Sequence, residues 1–220
     1  MSGAQQPVTA PPAGQISVEM VERVRPGDLD DLCDAADLAI RDGGGFGWVA
    51  PPAREAMERY WKGVMVVPER ALFIGRLDGV IAGSVQLVRP TRNNEAQSFA
   101  CTLTTSFVAP WARGHGLARA LTLAVEQEAR ARGFRILNLD VRATQVAAIA
   151  LYRAMGYTEW GNHPHYARVD GQDVPGLFFY KDLTAVGQAP ETPGPNPTGP
   201  TETGRQEDRP LNPQGVQGEP

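Results

Sequence analysis

The segment VAPWARGHGLA, Val108 to Ala118, separates a strand-like run, Phe99–Val108, from the clearest helical pattern in the chain, Leu117–Arg132. The first turn of a helix carries unpaired N–H groups at the positive end of the helix dipole, so an anion docks there readily. Gly114 and Gly116 let such an anion approach the backbone without meeting a Cβ. The segment therefore predicts a phosphate-binding turn, with a plain glycine turn as the alternative.

Two other phosphate-binding motifs do not fit this turn. A Walker loop ends in Lys followed by Ser or Thr, and that ending is missing after Gly116. A dinucleotide-binding GxGxxG turn needs a third glycine, and Arg119 stands in its place. The side chain of Arg113 is then either a further contact to phosphate or simply exposed to solvent.

A second segment, LDVRATQVAAIALYRAMGY from Leu139 to Tyr157, reads as a strand followed by a helix that ends at Gly156. Taken together, in this order and spacing, the two segments resemble the signature of the GCN5-related N-acetyltransferase (GNAT) family. The matching positions are Pro110, Arg113, Gly116 and Ala118 in the first segment, and Leu151, Tyr152, Gly156 and Tyr157 in the second.

The second segment is most similar to the ribosomal-protein N-terminal acetyltransferases of that family. One position departs from the family pattern, because Gln145 stands where an Asn is usual. The side-chain amide is kept and is one methylene longer. The resemblance therefore still implies a hydrogen bond from this amide on the CoA side.

The resemblance implies a fold and a donor substrate. The implied fold is α/β, with a mixed, splayed β-sheet of about seven strands flanked by about four helices. The implied donor is acetyl-CoA, whose pyrophosphate lies on the loop amides while its pantetheine arm pairs with the backbone of the preceding strand. No metal is implied. The cofactor-binding residues implied are Ser106, Phe107, Val108, Arg113, Gly114, His115, Gly116, Leu117, Ala118, Arg119, Gln145 and Tyr152.

The resemblance also implies catalytic roles for Tyr152 and Asp140. A primary amine has a pKa near ~10.4, so a base is useful at neutral pH. Asp140 occupies the position of the family's Glu base, and its shorter side chain favours relay through a water molecule. Tyr152 would protonate the departing thiolate, and the backbone N–H of Val108 would stabilise the oxyanion. The alternatives are a solvated Asp140, a purely packing Tyr152, and Glu95 as the base.

Hydrophobic patterning predicts one folded domain, residues 16–183, between disordered segments at 1–15 and 184–220. Asp78-Gly79 predicts a hairpin turn, and the pattern in the long helix places Glu126 and Arg130 on its outer face. The predicted order is a strand, two helices, three strands, a helix, a strand, a helix and two strands. The predicted segments are Ile16–Val21, a helix opened by Pro26, Pro52–Val64, Ala71–Leu77, Val80–Val88, Phe99–Val108, Leu117–Arg132, Phe134–Val141, Val146–Met155, and two strands from Tyr157 to near Leu183.

Composition excludes several other functions. The net charge of −4 and the lack of a basic face argue against nucleic-acid binding. Cys33 and Cys101 cannot form a zinc site alone, and three histidines give metal binding little support. No apolar run is long enough to span a membrane, and the first fifteen residues lack the features of a secretory signal. We therefore expect a cytoplasmic protein, either monomer or homodimer.

Two further segments border the expected acceptor side. The glycine-rich connection from Gly43 to Trp48 is interpreted as either a mobile flap carrying Phe46 and Trp48 or a simple flexible linker. The run from Asn162 to Tyr166 is interpreted as a connection between strands. The sequence as a whole predicts an N-acetyltransferase that moves the acetyl group of acetyl-CoA to a primary amine of a small molecule or a peptide by direct transfer in a ternary complex. An acyltransferase that uses a longer acyl-CoA and a CoA-binding regulatory module without turnover remain as alternatives.

Overall fold

The computed structural model describes residues 14–44 and 46–184, and the predictions of disorder for 1–13 and 185–220 lie outside this part. The order of helices and strands predicted from the sequence is confirmed. The elements are β1 (Ile16–Met20), α1 (Asp28–Arg41), α2 (Arg54–Val66), β2 (Arg70–Leu77), β3 (Val80–Val88), β4 (Ala100–Val108), α3 (Leu117–Ala131), β5 (Ile136–Arg142), α4 (Val146–Ala154), β6 (Thr158–Val169) and β7 (Gln172–Asp182).

The seven strands form one mixed sheet in the order β1-β2-β3-β4-β5-β7-β6, which confirms the predicted fold class. β4 and β5 run parallel and pair only through their first residues, Ala100 to Thr102 opposite Ile136 to Asn138. Beyond these residues β4 continues to Val108 and β5 to Arg142, so the two strands separate into a wedge. The wedge is the opening in the sheet around which the candidate site is built.

Helices cover the two faces of the sheet unequally. α3 and α4 share one core with the sheet, through side chains such as Leu117, Leu121 and Tyr152. α1 and α2 share a second core with β2, β3 and β4 on the other face, centred on the fully buried Trp61. The same face of β5, β7 and β6 is exposed, as the 64% exposure of Trp160 shows. We refer below to the face that carries α1 and α2 as the second face.

The prediction for the outer face of α3 is wrong at Glu126. This residue is only 1% exposed, although the predicted stripe placed it on the solvent side. Lys181 on β7 donates to both carboxylate oxygens at 2.8 Å, and Arg130 adds a contact at 3.4 Å. A buried carboxylate is tolerated only when it is paired and hydrogen-bonded. The partner lies 55 residues away in sequence, so helical periodicity alone does not show it.

Candidate functional site

The edge of the wedge begins with an irregular residue in β4. Thr105 has φ +52°, which is uncommon for a β-branched residue, and the pairing of β3 with β4 shifts register beside it, between Ser84 and Gln86. A polar chain supports this bulge. Gln86 Nε2 donates to the Tyr60 hydroxyl at 3.0 Å, and that hydroxyl lies 3.4 Å from the Thr105 Oγ1. None of these residues is predicted as functional from the sequence, because the contacts join distant segments.

The backbone of Val108 faces the wedge. Val108 is registered with Gly83 on β3, and the next residue, Ala109, donates its N–H to the Ala82 carbonyl at 2.7 Å. In an antiparallel pair, successive residues alternate between hydrogen bonding toward and away from the partner strand. The N–H of Val108 therefore points away from β3 and into the open side of β4. It can donate to a group bound between β4 and β5.

The predicted loop ends in an open helix N-terminus. Gly114 and Gly116 both have φ +81°, a conformation that glycine adopts without strain. Gly116 is the residue that caps α3, and no side chain accepts a hydrogen bond from the first turn. The N–H groups of the first turn, from Leu117 to Arg119, precede the first bond of the helix, between Ala120 N–H and the Gly116 carbonyl. This arrangement can hold an anionic group.

Arg113 and His115 stabilise the loop in this structure. The guanidinium of Arg113 forms an ion pair with Asp42, at the end of α1, and both side chains are about half exposed. The His115 Nδ1 lies 3.0 Å from the Arg113 carbonyl and 3.3 Å from the Ala112 carbonyl. Both neighbours are acceptors, so this nitrogen carries a proton. Arg113 thus has a carboxylate partner that competes with any bound phosphate.

The amide of Gln145 is turned toward α1 in this structure. Its Nε2 donates to the Gly43 carbonyl at 2.7 Å, and the Arg142 guanidinium approaches the same oxygen at 3.4 Å. Asp42 and Gly43 are consecutive residues, and together they contact the loop after β4 on one side and β5 with α4 on the other. The start of the glycine-rich connection therefore bridges the open end of the wedge.

The two aromatic residues of that connection pack against the core. The Phe46 ring stacks on Phe107 of β4 with centroids 4.9 Å apart, and Trp48 meets Tyr60 edge to face at the same distance. The fully buried Trp61 completes the group, 5.8 Å from Phe46. Neither interpretation of this connection, as flap or as simple linker, includes these contacts. The rings of Phe46 and Trp48 attach the connection to β4 and α2.

Tyr152 is enclosed beside the wedge. It is 4% exposed and packs edge to face against Tyr157, with centroids 5.5 Å apart. Burial raises the pKa of Tyr152 above its usual value, a hydrogen-bonding interaction with the Ser106 side chain lowers it, and the negative charge of Asp140 raises it. Tyr152 is thus within interaction range of two residues predicted from separate parts of the sequence, Ser106 and Asp140.

Asp140 lies on the exposed part of the second face. Its partner across β7 is Phe178, whose ring lies 5.8 Å from Tyr166 and 5.7 Å from Trp160. The Tyr166 hydroxyl donates a hydrogen bond to the Asp140 carboxylate. Burial and this interaction with Asp140 raise the pKa of Tyr166. A carboxylate bordered by aromatic rings is suited to an amine, because both groups attract positive charge.

The run from Asn162 to Tyr166 is not a connection between strands. It lies inside β6, where the pairing with β7 shifts register between His163 and Ala167. This irregularity turns Tyr166 over Gly176, at which a Cβ would come within 2.1 Å of the Tyr166 ring. The sequence pointed to this run only through its histidines. Its contact with Asp140 comes from Tyr166.

Glu95, the alternative base, does not join this group. It lies in a short 3-10 turn, Glu95–Gln97, before the start of β4. Neighbours of Glu95 in this turn line a cavity together with Thr102 and Asn138, at the paired end of β4 and β5. The seven residues from Ala100 to Ser106 are separated by six steps and span about 20 Å of strand. Glu95 is therefore at the wrong end of β4 to act beside Tyr152.

Other kinds of site find no support in the described residues. Within 14–44 and 46–184, no three His, Cys, Asp or Glu side chains are grouped so as to hold a metal ion. His165 instead pairs with Asp173 at 2.7 Å, and His163 accepts the His165 N–H at 3.1 Å. No helix in this part of the chain has both the length and the apolar character needed to cross a membrane.

The chain is similar in sequence to known acetyltransferases. Residues 37–157 match the family model described as Acetyltransferase (GNAT) family. An N-acetyltransferase from the hisH-hisA intergenic region of Azospirillum brasilense is 76% identical over 130 residues, which cover 59% of this chain and 77% of that protein.

Two solved structures share the fold at low sequence identity. The ribosomal-protein-alanine N-acetyltransferase of Brucella melitensis has a TM-score of 0.62 and 22% identity, over 76% of this chain and 99% of that one. The yncA protein of Salmonella typhimurium, solved with its cofactor acetyl-CoA, has a TM-score of 0.62 and 16% identity, over 80% and 98%. The fold of the described residues is thus also the fold of a protein that binds acetyl-CoA.

Proposed function

Because this chain belongs to the GNAT acetyltransferase family, we propose that it transfers the acetyl group of acetyl-CoA to a primary amine of a small molecule or a peptide. The observation that carries the proposal is the position of Tyr152 at the wedge, within interaction range of Ser106 on β4 and of Asp140 on β5. An acid and a base on opposite sides of one opening are what acetyl transfer from a thioester to an amine requires.

The donor half of the site is built mainly from backbone groups. The open first turn of α3, Leu117 to Arg119, supports a pyrophosphate, and the left-handed glycines keep side chains out of its way. The unpaired edge of β4, Ser106 to Val108, supports the pantetheine arm. Arg113 and Gln145 would bind the donor after leaving Asp42 and Gly43.

The transfer itself balances with two side chains. Asp140, directly or through a water molecule, accepts a proton from the ammonium form of the acceptor. The free amine then attacks the thioester carbon, a C–N bond forms, and the C–S bond breaks. The N–H of Val108 stabilises the negative charge that develops on the carbonyl oxygen. Tyr152 gives its proton to the departing CoA sulfur, and the positively charged nitrogen of the new amide loses its surplus proton to solvent. Both side chains then exchange protons with solvent, so that one proton is released overall.

The enclosed position of Tyr152 supports its role as the acid. Burial and the charge of Asp140 both raise the pKa of its hydroxyl. The hydroxyl is therefore fully protonated at neutral pH and has a proton to give to the departing thiolate. The burial of Cys33 and Cys101 supports direct transfer in a ternary complex over transfer through an acetylated cysteine.

The test is release of CoA thiol from acetyl-CoA in the presence of a broad amine panel, with the acetylated product identified by mass spectrometry. An acetylated amine whose formation Asp140→Asn slows supports the proposal. Turnover only with longer acyl-CoA donors would show that the donor is not acetyl-CoA. Normal CoA binding in calorimetry without turnover of any donor and amine would indicate a regulatory module instead.

A further inference from the structure

A cavity of about 410 Å³ opens at the paired ends of β4 and β5, away from the loop that follows β4. Its volume is within the range of small-molecule sites. Neither the donor site nor the acid and base described above occupy it. The side chains that give it its chemical character are Arg89, Asn94, Gln97, Phe99, Thr102 and Asn138.

This cavity lies on the second face, the same face as Asp140. Side chains alternate between the faces of a strand, and Leu137 and Leu139 are buried in the core beneath α3 and α4. Asn138 and Asp140 therefore both project to the second face. Thr102 is registered directly opposite Asn138 and shares that face.

The cavity adjoins Asp140, the residue proposed above as the base. Residues i and i+2 of a strand are about 7 Å apart, so Asn138 at the cavity edge is one side-chain step from Asp140. β7 pairs with β5 over these residues, with Tyr180 opposite Asn138 and Phe178 opposite Asp140. An acceptor whose amine lies at Asp140 therefore has a continuous surface along which its remaining atoms reach the cavity.

The lining of the cavity specifies the chemistry of those atoms. Asn94, Gln97 and Asn138 present amides, and Thr102 presents a hydroxyl, so donors and acceptors of hydrogen bonds are both available. The only charged lining side chain is that of Arg89, which donates to the Pro68 carbonyl, and no carboxylate is among the described lining residues. A neutral chain of amide or hydroxyl groups fits this lining, whereas a second cationic group meets Arg89 without a counter-ion.

We propose that this cavity holds the body of the acceptor, and that the acceptor is an extended amine with neutral amide or hydroxyl groups beyond its reactive end. The inference rests on the proposed function, and it narrows the acceptor class. It also predicts that specificity is set mainly away from the reacting amine, by Thr102 and Asn138. Compact amines and polyamines are then the poorer substrates.

The experiment compares acceptors that share one reactive end. Glycinamide, diglycinamide and triglycinamide are assayed for kcat/KM at saturating acetyl-CoA, with spermidine as the cationic chain. We expect triglycinamide to exceed glycinamide at least tenfold and spermidine to show no such gain. The Thr102→Val and Asn138→Leu variants are expected to reduce the ratio of triglycinamide to glycinamide at least fivefold.

A matched control is Thr158→Val, the same exchange at an exposed position of β6, and it is expected to leave the ratio unchanged. Thermal melting of each variant identifies losses due to misfolding. An equal kcat/KM for the short and long amides, or an undiminished ratio in folded Thr102→Val and Asn138→Leu, overturns the inference while leaving the enzyme an acetyltransferase. Failure of the proposed function looks different, because then none of these amines is acetylated.

Discussion

The hydroxyl of Tyr166 donates a hydrogen bond to the carboxylate of Asp140, joining β6 to β5 across the intervening strand β7. The tyrosine is itself held in place. Its ring covers Gly176 so closely that a Cβ there would lie 2.1 Å from the ring, and its edge meets Phe178. The carboxylate proposed as the base is thus oriented by a side chain with little freedom to move.

We expect Tyr166→Phe to lower kcat about tenfold, because the ring packing is kept while the hydrogen bond that orients Asp140 is lost. The KM for acetyl-CoA stays unchanged, since Tyr166 is on the acceptor side. Steady-state kinetics with one fixed amine measure both constants. Tyr157→Phe, the same exchange at a buried tyrosine of the core beneath α3 and α4, is the control. Equal kcat values in both variants would remove Tyr166 from the site.

Tyr152→Phe is expected to reduce kcat by about 100-fold or more, because the proton for the CoA sulfur is lost. CoA affinity, measured by calorimetry, changes little. Tyr157→Phe is the matched control, because Tyr157 is a buried neighbour of Tyr152 that interacts with Glu126 and not with Ser106 or Asp140. Comparable rates for these two variants would contradict the assignment of the acid.

Gly116→Ala is expected to weaken CoA binding at least tenfold, because its Cβ would enter the space above the first turn of α3 where phosphate is proposed to bind. Gly133→Ala controls for backbone strain, since Gly133, at the other end of α3, has φ +82° against +81° for Gly116. A left-handed alanine costs each variant about 1 kcal/mol of stability. Similar CoA affinities in the two variants would argue against the loop as the phosphate site.

Cys33 and Cys101 are not expected to react with thiol reagents in the folded protein between pH 7 and 9. Both are buried, and burial raises the pKa of Cys33 to about 11 and that of Cys101 to about 12. Both thiols therefore stay neutral, and the thiolate is the reactive form. A coloured thiol reagent that detects two thiols only after denaturation confirms this. Fast labelling of native protein would contradict it.

The same raised pKa values predict how stability depends on pH. In the unfolded chain the two thiols ionise near ~8.5. Below that pH both states hold neutral thiols, and the folded state keeps its full free energy of unfolding. Part of this free energy is lost progressively as the pH rises from there toward the folded values. Urea titrations at pH 8 and pH 10 measure the loss, which is expected to be smaller in a folded Cys101→Ala variant.

Lys181→Ala is expected to lower the free energy of unfolding by about 3 kcal/mol, because it leaves the buried Glu126 carboxylate with only the more distant Arg130. Arg132→Ala breaks a more exposed pair with Glu128 on the same helix and is expected to cost about 0.5 kcal/mol. Urea unfolding of both variants compares them directly. Equal losses would show that Glu126 is not a buried charge in solution.

Local patterns in the sequence were sufficient for the order of the elements and for the loop. The hairpin turn at Asp78-Gly79 depends only on neighbouring residues, and so do the limits of the two strands beside it. The local sequence therefore predicts both well. The turn at Gly114 and Gly116 is equally local, because the positive φ values belong to the glycines themselves.

Contacts between distant segments were beyond the reach of those patterns. Tyr166 reaches Asp140 across 26 residues, and Lys181 reaches Glu126 across 55. Helical periodicity predicted that Glu126 lies on the solvent-exposed face of α3, because the pattern depends only on the polarity of each residue. It contains no information about a distant partner such as Lys181. Glu95 was considered as a base because it precedes the right strand, and only the length of β4 shows that it is too far away.

The bridge formed by Asp42 and Gly43 affects how donor affinity responds to ionic strength. Arg113 leaves one negative partner, Asp42, when it takes another from the donor. Added salt screens both attractions, so it weakens the contact that is given up together with the contact that is gained. The dependence of the donor dissociation constant on salt is therefore shallower than the cationic side chains of the loop alone would suggest. Asp42→Asn, which removes the competing partner, steepens it.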